Sequence, residues 1–589
     1  MMIQSQQIST EQDIENLVHW KLANLLVSNI ESIDSNTVSQ LKNMVCQLSQ
    51  AATQGSSCLV LDNTQQQLIE NHKGVMPGLV KVDSQTSTKS IDTALIVLQA
   101  NRLYLNKYFH AENATERVFK VMAEQVKVVD ESVVLEKIKP LKYIDAITSA
   151  VIINCLKNNL SIITGGPGTG KTTIVVRVLA LLIDQFYHEH QALPKIEILA
   201  PTGKASARVK ESIIREKSDW LDDLNGFALN VIQAIPETAQ TVHKFLSINP
   251  NTGRTRFKQG QTANIDILIV DEASMLDVLL FEKLLTSLEP NTRLIFLGDP
   301  YQLESVEAGN VLAQIVAASQ KPQNQWLAAC CNQLTISHRF NDQSGIGQLA
   351  KAVNAGDVEG AFGVLESEAY NDVHWLNSDD KVIIEAIKGY QDYKDAVKTA
   401  KNLPQLHTET IKQLFSTFES WQVFSPFRSS LIGVNWLNQE IEKGLKLGEP
   451  ETNYFGKPII IKSNDHALQL NNGDIGICLS KDGSTVCFPA IDQAGQLSYR
   501  HIKTRILPEH ELVFAMTVHK SQGSEYQSCM LFVPEPNENQ KNLLKREIFY
   551  TALTRAKQQF YLMASEQEIE TMVTTPTTRM SGLFETSSQ

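Results

Sequence analysis

No apolar run in this sequence comes near the roughly 18 residues that a membrane-crossing helix needs. The opening MMIQSQQIST lacks the basic-then-apolar order of a secretion signal, so a cytoplasmic protein without a membrane partner is expected. Cysteine is scarce: there are 8 in 589 residues, with no CxxC pair and an adjacent Cys330-Cys331. That fits neither a disulfide framework nor a zinc or iron–sulfur site, and free thiols in a reducing compartment are expected. Excess positive charge is missing too. A net charge of −12 excludes a protein that coats nucleic acid with its whole surface. It leaves room for a local basic track, because phosphate contacts need only a handful of positioned side chains. There is no internal repeat and no low-complexity tail beyond TTPTTRMSGLFETSSQ. The run His188-Glu189-His190 reads as solvated surface rather than metal ligand.

What is present is an ordinary globular composition, 42% hydrophobic and 20% charged, long enough for three or four domains. Residues 1 to about 110 read as a helical unit for packing or partner contact, with Ile14, Leu17, Leu22 and Leu25 at helical spacing. The bridging stretch RLYLNKYFHAENATERVF is expected to be a helix that buries Tyr104, Tyr108 and Phe109. From about 140 the texture changes to short apolar strands, LSIITG, IEILAP, IDILIVDEA and RLIFLGD, alternating with helices. This is the α/β pattern of a parallel sheet covered on both faces, whose ligands sit at the carboxyl ends of the strands. A second α/β stretch begins with WQVFSPFRS and resumes at ELVFAMTVHKSQGSE. Between them a turn-rich, alternating segment of about 455–507 reads as a small β-barrel insert, either a guide for strands or a structural brace.

The stretch GGPGTGKTT, Gly165 to Thr173, matches G-x-x-x-x-G-K-[ST] between a strand and a helix, the context that motif requires. Gly165, Gly166, Pro167, Gly168, Thr169 and Gly170 would turn backbone amides toward phosphates at the positive end of a helix. Lys171 would reach the β- and γ-phosphates, and the Thr172 hydroxyl would hold Mg²⁺, with Thr173 next in the helix. About a hundred residues on, ILIVDEA delivers Asp271 to a strand end as a second metal ligand and Glu272 as the base for an attacking water. ATP and Mg²⁺ are therefore the expected cofactors of a hydrolase.

The downstream segments bear on how the energy is used. LAPTGKASARV offers Thr202 and Lys204 at a helix start, a phosphate grip or simply a capped amphipathic helix. TVHKFL, with His243, is weaker. GDPYQLESVEAGN places Gln302 after a strand as a γ-phosphate sensor, while LTISHRF offers Arg339 and REIFYTALTRAK offers Arg555 as charge-stabilising fingers. MTVHKSQGSEY combines Thr517, His519 and Lys520 as backbone-contact candidates with a Gly523/Glu525 turn.

In this order, APTGKA, GDPYQLESVEAGN, TVHKSQGSE and YTALTRAK resemble the motif series of superfamily 1 helicases, in the branch that moves 5′ to 3′. RLYLNKYF, GGPGTGKTT, SHRF, SGIGQLAKAVNAGD, NGDIGI and VFAMTVHKSQGSE bring the likeness closer to the RecD family, over about 100–565. The resemblance implies two RecA-like motor domains, at 111–342 and 343–589, behind a helical partner-binding domain at 1–110. It implies DNA in the motor channel, RecB- and RecC-like partners in a heterotrimer, and work on DNA ends in double-strand-break repair, cutting being left to the RecB partner. Gln302, Arg339 and Arg555 would sense the γ-phosphate across the cleft. Thr202, Lys204, His243, Thr517, His519 and Lys520 would contact single-stranded DNA, and Glu525 would bind the ribose. Many members carry an adenine-reading glutamine before the first strand, and YIDAITSAVIINCLKNNL has none, so strictness for ATP is not implied. A stand-alone superfamily 1 helicase of replication or plasmid transfer is the alternative. A vestigial ATPase is disfavoured by the intact Lys171, Asp271, Glu272, Arg339 and Arg555. An intrinsic nuclease is disfavoured because no carboxylate cluster beyond Asp271 and Glu272 suits two metals.

Overall fold

The computed structural model describes residues 11–27, 33–72, 76, 78–82, 88–139, 145–220, 227–249, 252–257, 260–305, 307–340, 343–376, 381–428, 432–450, 452–465, 467–491, 497–538 and 540–585. The opening MMIQSQQIST, the side chain of Ile14, Tyr143 and Ile144, the 342/343 boundary and the last four residues lie outside that set.

The N-terminal unit is not purely helical. Strands β1 (Cys58–Val60), β2 (Leu79–Val82), β3 (Ile96–Gln99) and β4 (Arg102–Leu105) form a sheet in the order β1-β4-β3-β2, parallel only between β2 and β3. Helices Glu11–Leu26 and Ser35–Thr53 pack with it around Leu41, Val45, Leu98 and Leu103. Strands of three or four residues are too short to show a period of two, so periodicity alone assigns them no type. Tyr104 lies on β4, while Tyr108 and Phe109 belong to the following helix Asn106–Ala123; all three are buried. That helix crosses the expected 110/111 boundary, and its Phe119 packs into the core of the next unit against Phe281 and Phe296.

The next sheet is built from β5 (Leu160–Gly165), β6 (Ile196–Ala200), β7 (Gln240–Thr241), β8 (Ile267–Val270), β9 (Arg293–Gly298) and β10 (Cys331–Leu334). Their order is β10-β5-β9-β8-β6-β7, and every pairing is parallel. Unbroken apolar runs suit strands covered on both faces. Leu268, Val270, Leu294 and Phe296 point into one core, and Ile267, Ile269, Ile295 and Leu297 into the other. The helices Lys171–His190 and Gly203–Trp220 cover the second face.

A second all-parallel sheet contains β11 (Val373–Trp375), β12 (Trp421–Ser425), β18 (Ala515–Thr517), β19 (Tyr526–Phe532) and β20 (Ala556–Met563), ordered β11-β20-β19-β12-β18. Between β12 and β18 the chain makes β13 (Pro458–Ile461), β14 (Ile475–Cys478), β15 (Thr485–Ile491), β16 (Leu497–Lys503) and β17 (His510–Leu512). This insert is one antiparallel sheet, β16-β15-β14-β13-β17, with its own core of Ile459, Ile461, Val486 and Phe488. Among the described residues its edge strands do not pair with each other. A closed barrel is therefore not what the chain forms there, and the sheet runs to Leu512 rather than 507.

The C-terminal tail, read from sequence as low complexity, is a strap. Arg579 donates to the carbonyls of Glu307 (2.9 Å) and Ser305 (2.7 Å) and pairs with Glu304 at 2.5 Å. Ser57 N donates to Met580 O (2.9 Å), and Gly582 N donates to the buried carboxylate of Glu112 (3.1 Å). Phe584 is fully buried and stacks on Phe119 at 6.0 Å. The strap thus joins the second parallel sheet to the loop after β9 and to the N-terminal unit.

A Cβ at Gly582 would lie 2.0 Å from the Tyr104 hydroxyl, itself buried. Gly582→Ala is expected to destabilise the protein by about 1–3 kcal/mol, as an over-filled core does. A thermal melt reads this, and an unchanged midpoint would show that the strap lifts freely.

Candidate nucleotide cleft between the two parallel sheets

Strand β5 ends at Gly165 and the helix Lys171–His190 begins after five intervening residues. Gly168 and Gly170 have φ of 73° and 78°, the left-handed region where a side chain is strained. The loop they shape is held from outside: His338 N donates to Gly168 O (2.8 Å) and Ser337 Oγ to Pro167 O (3.1 Å). A Cβ on Gly168 would sit 2.3 Å from the Cβ of Arg339. Inside the loop, Lys171 Nζ donates to the carbonyls of Gly165 (2.6 Å) and Gly166 (3.0 Å), and Thr169 Oγ1 to Gly166 O (2.8 Å). Thr173 Oγ1 donates to Glu216 (2.9 Å).

At the end of β8, Asp271 is buried and accepts the Glu272 amide at 2.8 Å. Burial first, and then the neighbouring Glu272 charge, push its carboxyl up to about 6. Glu272 itself has φ of 53°, an uncommon conformation for a residue with a side chain, and turns straight into the tight helix Ala273–Met275. At the end of β9, the buried Asp299 accepts from Gln302 Nε2 (3.1 Å), Tyr550 OH (3.0 Å) and the Tyr301 amide (3.1 Å). Burial raises the Asp299 carboxyl against the pull of Lys171. Gln302 is therefore aimed by a carboxylate that the second sheet's helix Arg546–Leu553 also holds, through Tyr550.

Arg339 follows β10 of the first sheet, and Arg555 precedes β20 of the second. Both line one cavity of about 1040 Å³ with Lys171, Thr172, Asp271, Glu272, Gln302 and Glu525. Arg555 is buried, donating from Nε to Thr551 O and from Nη1 to Ser524 O, each at 3.1 Å. Arg339 Nη2 donates to Glu525 Oε1 at 2.6 Å. The other carboxylate oxygen takes Arg208 at 2.9 Å and Lys557 at 3.3 Å. Burial works to raise the Glu525 carboxyl, but Arg208, Arg339 and Lys557 outweigh it and hold the group well below the usual carboxylate range. Leu303, next to Gln302, completes the seam: its amide donates to Thr551 Oγ1 (2.8 Å) and its carbonyl accepts from Gln522 Nε2 (2.6 Å).

The expected DNA contacts lie outside this cavity. Thr202 Oγ1 accepts from Ala205 N (3.2 Å) and so caps the helix that carries Arg208. Lys204 is half-buried, pushed down to about 8 by burial, and faces Glu419 and Asp474 of the second half. His243 is exposed on the short helix Val242–Leu246. Thr517 ends β18, His519 is exposed in the following turn, and Lys520 pairs with Glu511, which also binds Arg428 at 2.9 Å. Lys520 is thus matched by a carboxylate of the chain itself, and Lys204 lies in the field of two more. Sequence reasoning passed over Tyr550, Arg208 and Lys557. Arg208 stands one helical turn after Lys204, and Tyr550 lies inside the stretch that supplied Arg555, so both carried a spacing signal.

The residues fit a nucleoside triphosphate with its metal. The loop is a backbone cradle that a Cβ at Gly168 would fill, the cavity walls bring cations, and a buried carboxylate and the Thr172 hydroxyl share the same space. Mg²⁺ needs one or two protein oxygens when phosphates supply the rest. Among the described residues no helix is long and apolar enough to cross a membrane.

A sequence model described as an AAA domain matches residues 147–308, and one described as a UvrD-like helicase C-terminal domain matches 512–563. The chain is 33% identical over 473 residues to the RecBCD enzyme subunit RecD of Haemophilus influenzae, covering 73% of this chain and 71% of that one. It is 34% identical over 436 residues to the protein of the same name from Mycolicibacterium smegmatis, covering 73% and 72%. Among solved structures, a Pif1 helicase studied at forked DNA aligns over 72% of this chain and 94% of its own at 16% identity, with a TM-score of 0.38.

Gly168→Ala combines a left-handed φ with a clash at Arg339. It is expected to weaken nucleotide binding at least tenfold, since the conformational cost alone is about 1–2 kcal/mol. Titration with a fluorescent ATP analogue reads the loss, and unchanged affinity would show that the loop does not form the site.

Proposed function

The chain belongs to the RecD family of superfamily 1 helicases, and from that premise we propose its place in full: a 5′-to-3′ translocase within a RecBCD-type heterotrimer, opening DNA ends for recombinational repair. It is an ATP-hydrolysing DNA helicase. The finer reading adds RecB- and RecC-like partners, single-stranded DNA in the channel and a cytoplasmic setting. Residues 1–110 are proposed as the partner-facing unit, with 111–342 and 343–589 as the motors, the helix Asn106–Ala123 spanning the first boundary. The stand-alone reading is not favoured.

One observation carries the proposal: cations from both parallel sheets line the cavity that holds the glycine loop and the Asp271-Glu272 pair. Lys171 and the loop amides bind the β- and γ-phosphates. Thr172 and Asp271 would hold Mg²⁺, which when bound would supply positive charge to offset that of the phosphates. Glu272 orients the attacking water and takes its proton. Gln302, fixed by Asp299, reports on the γ-phosphate to Tyr550 of the second sheet. Arg339 and Arg555 place positive charge where negative charge develops. Because Arg555 is anchored on Ser524 and Thr551, in the turn before β19 and the helix before β20, its engagement moves the second sheet relative to the first. Thr202, Lys204, His243, Thr517, His519 and Lys520 are the proposed DNA-facing groups. Lys520 reaches DNA only by leaving Glu511 of its own half, whereas Lys204 of the first half sits in the field of Glu419 and Asp474 of the second, which makes its part of the grip dependent on the relative position of the two halves.

Lys171→Gln is expected to abolish hydrolysis and unwinding with the fold intact by circular dichroism; normal unwinding would remove the active-site assignment. Arg555→Ala should keep nucleotide affinity and slow turnover by about 10³-fold or more, as finger residues do. A loss below about tenfold would count against it. Duplexes with a single 5′ or 3′ tail test polarity, with unwinding expected only from the 5′ tail. Co-purification with RecB- and RecC-like proteins tests the assembly.

A further inference from the structure

Glu525 is the point where the cleft's charges converge. Its carboxylate takes one guanidinium from the loop after β10 (Arg339, 2.6 Å), one from the helix after β6 (Arg208, 2.9 Å) and one ammonium from β20 (Lys557, 3.3 Å). Three cations share this one carboxylate, and the charge of Arg208 and Lys557 is felt by Glu419 as well. The Glu525 and Arg339 side chains are only 20% and 19% exposed, so water screens the cluster incompletely. Arg339 uses Nη2 on Glu525, while its Nη1 is buried without a hydrogen-bond partner. A guanidinium is built to be gripped at two nitrogens by one planar anion or phosphate, and here half of the fork is unused.

We propose that Glu525 is a positioning residue that competes with the γ-phosphate for Arg339, so that Arg339 exchanges a bond to the second sheet for one to the nucleotide. The proposal rests on reading the cleft as the ATP site. Two consequences follow from the geometry. The finger is kept inside the cleft, facing the loop that binds phosphate, instead of swinging into solvent. The pair Arg339–Glu525 also crosses between the two sheets, so the exchange removes a tie between them at the moment the γ-phosphate arrives. Binding of the third phosphate thereby removes one of several polar ties between the sheets, those of Arg208 to Glu525 and of Leu303 to Thr551 and Gln522 remaining. This assigns Glu525 a role opposite in sign to ribose binding: a ribose ligand aids every nucleotide, whereas a competitor for Arg339 opposes only those that carry a γ-phosphate.

The test is equilibrium binding of ADP and of a non-hydrolysable ATP analogue to the wild type, Glu525→Gln and Arg339→Ala, without DNA. Glu525→Gln should bind the ATP analogue roughly tenfold more tightly, the worth of one charge-assisted hydrogen bond removed from competition. Its ADP affinity should change by less than about twofold on the same scale. In Arg339→Ala the further change Glu525→Gln should have no effect on the ratio of the two affinities. Parallel weakening of both nucleotides would overturn the proposal in favour of a ribose contact, and an unchanged ratio would overturn it outright. Wild-type protein that bound neither nucleotide would instead overturn the cleft reading beneath it. Glu525→Asp, which keeps the charge, is expected to restore the wild-type ratio and guards against misfolding of the glutamine variant; the glutamine ratio in the aspartate variant would contradict the proposal.

Discussion

Two parallel sheets are held facing each other by polar bonds across one cleft, beside the apolar contact that Leu303 and Phe340 make with the core of the second. Glu525 holds Arg339 and Arg208, Tyr550 shares Asp299 with Gln302, and Leu303 is gripped at both its amide and its carbonyl by Thr551 and Gln522. Bonds of this kind can exchange partners at little net free energy, because each has an alternative in water, in phosphate or in another side chain. A buried hydrophobic seam has no such alternatives. The choice of polar contacts is what allows the cleft to be both a binding site and a joint.

Everything else supports that joint. The all-buried strands β5, β8 and β9 make the first sheet a rigid platform whose carboxyl ends deliver Lys171, Asp271 and Asp299 to one place. The strap from Arg579 to Phe584 ties the far end of the chain to the loop that follows Gln302 and to the N-terminal unit. Motion of the second sheet is therefore felt by the unit proposed to face the partner subunits. The antiparallel insert brings Asn471 against Gly203, where a Cβ would lie 2.4 Å away, and so brackets the helix that carries Lys204 and Arg208.

The motor sheets were legible in the sequence because their strands are unbroken apolar runs that end in polar turns, and because ligand-binding residues gather at those ends. Lys171, Asp271, Glu272, Gln302, Arg339 and Arg555 could all be named from local stretches. What could not be read depended on contacts distant in sequence. Nothing near Glu525 indicates that Arg208 and Arg339 close on it from positions 317 and 186 residues earlier. Lys204 and Lys520 look like free cations until the fold supplies Glu419, Asp474 and Glu511. The N-terminal sheet hides in strands of three or four residues, and the tail read as low complexity where Ser581 and Gly582 in fact close on the buried Glu112.

The central claim is that guanidinium groups anchored on opposite sheets meet one triphosphate. A crystal structure with ADP, aluminium fluoride and single-stranded DNA tests it most directly. The account predicts both Arg339 and Arg555 within hydrogen-bond distance, about 3 Å, of the fluoride that stands in for the transferring phosphoryl group. Finding either one still bound to its present partners, Glu525 for Arg339 or the Ser524 and Thr551 carbonyls for Arg555, with no contact to the fluoride, would contradict it.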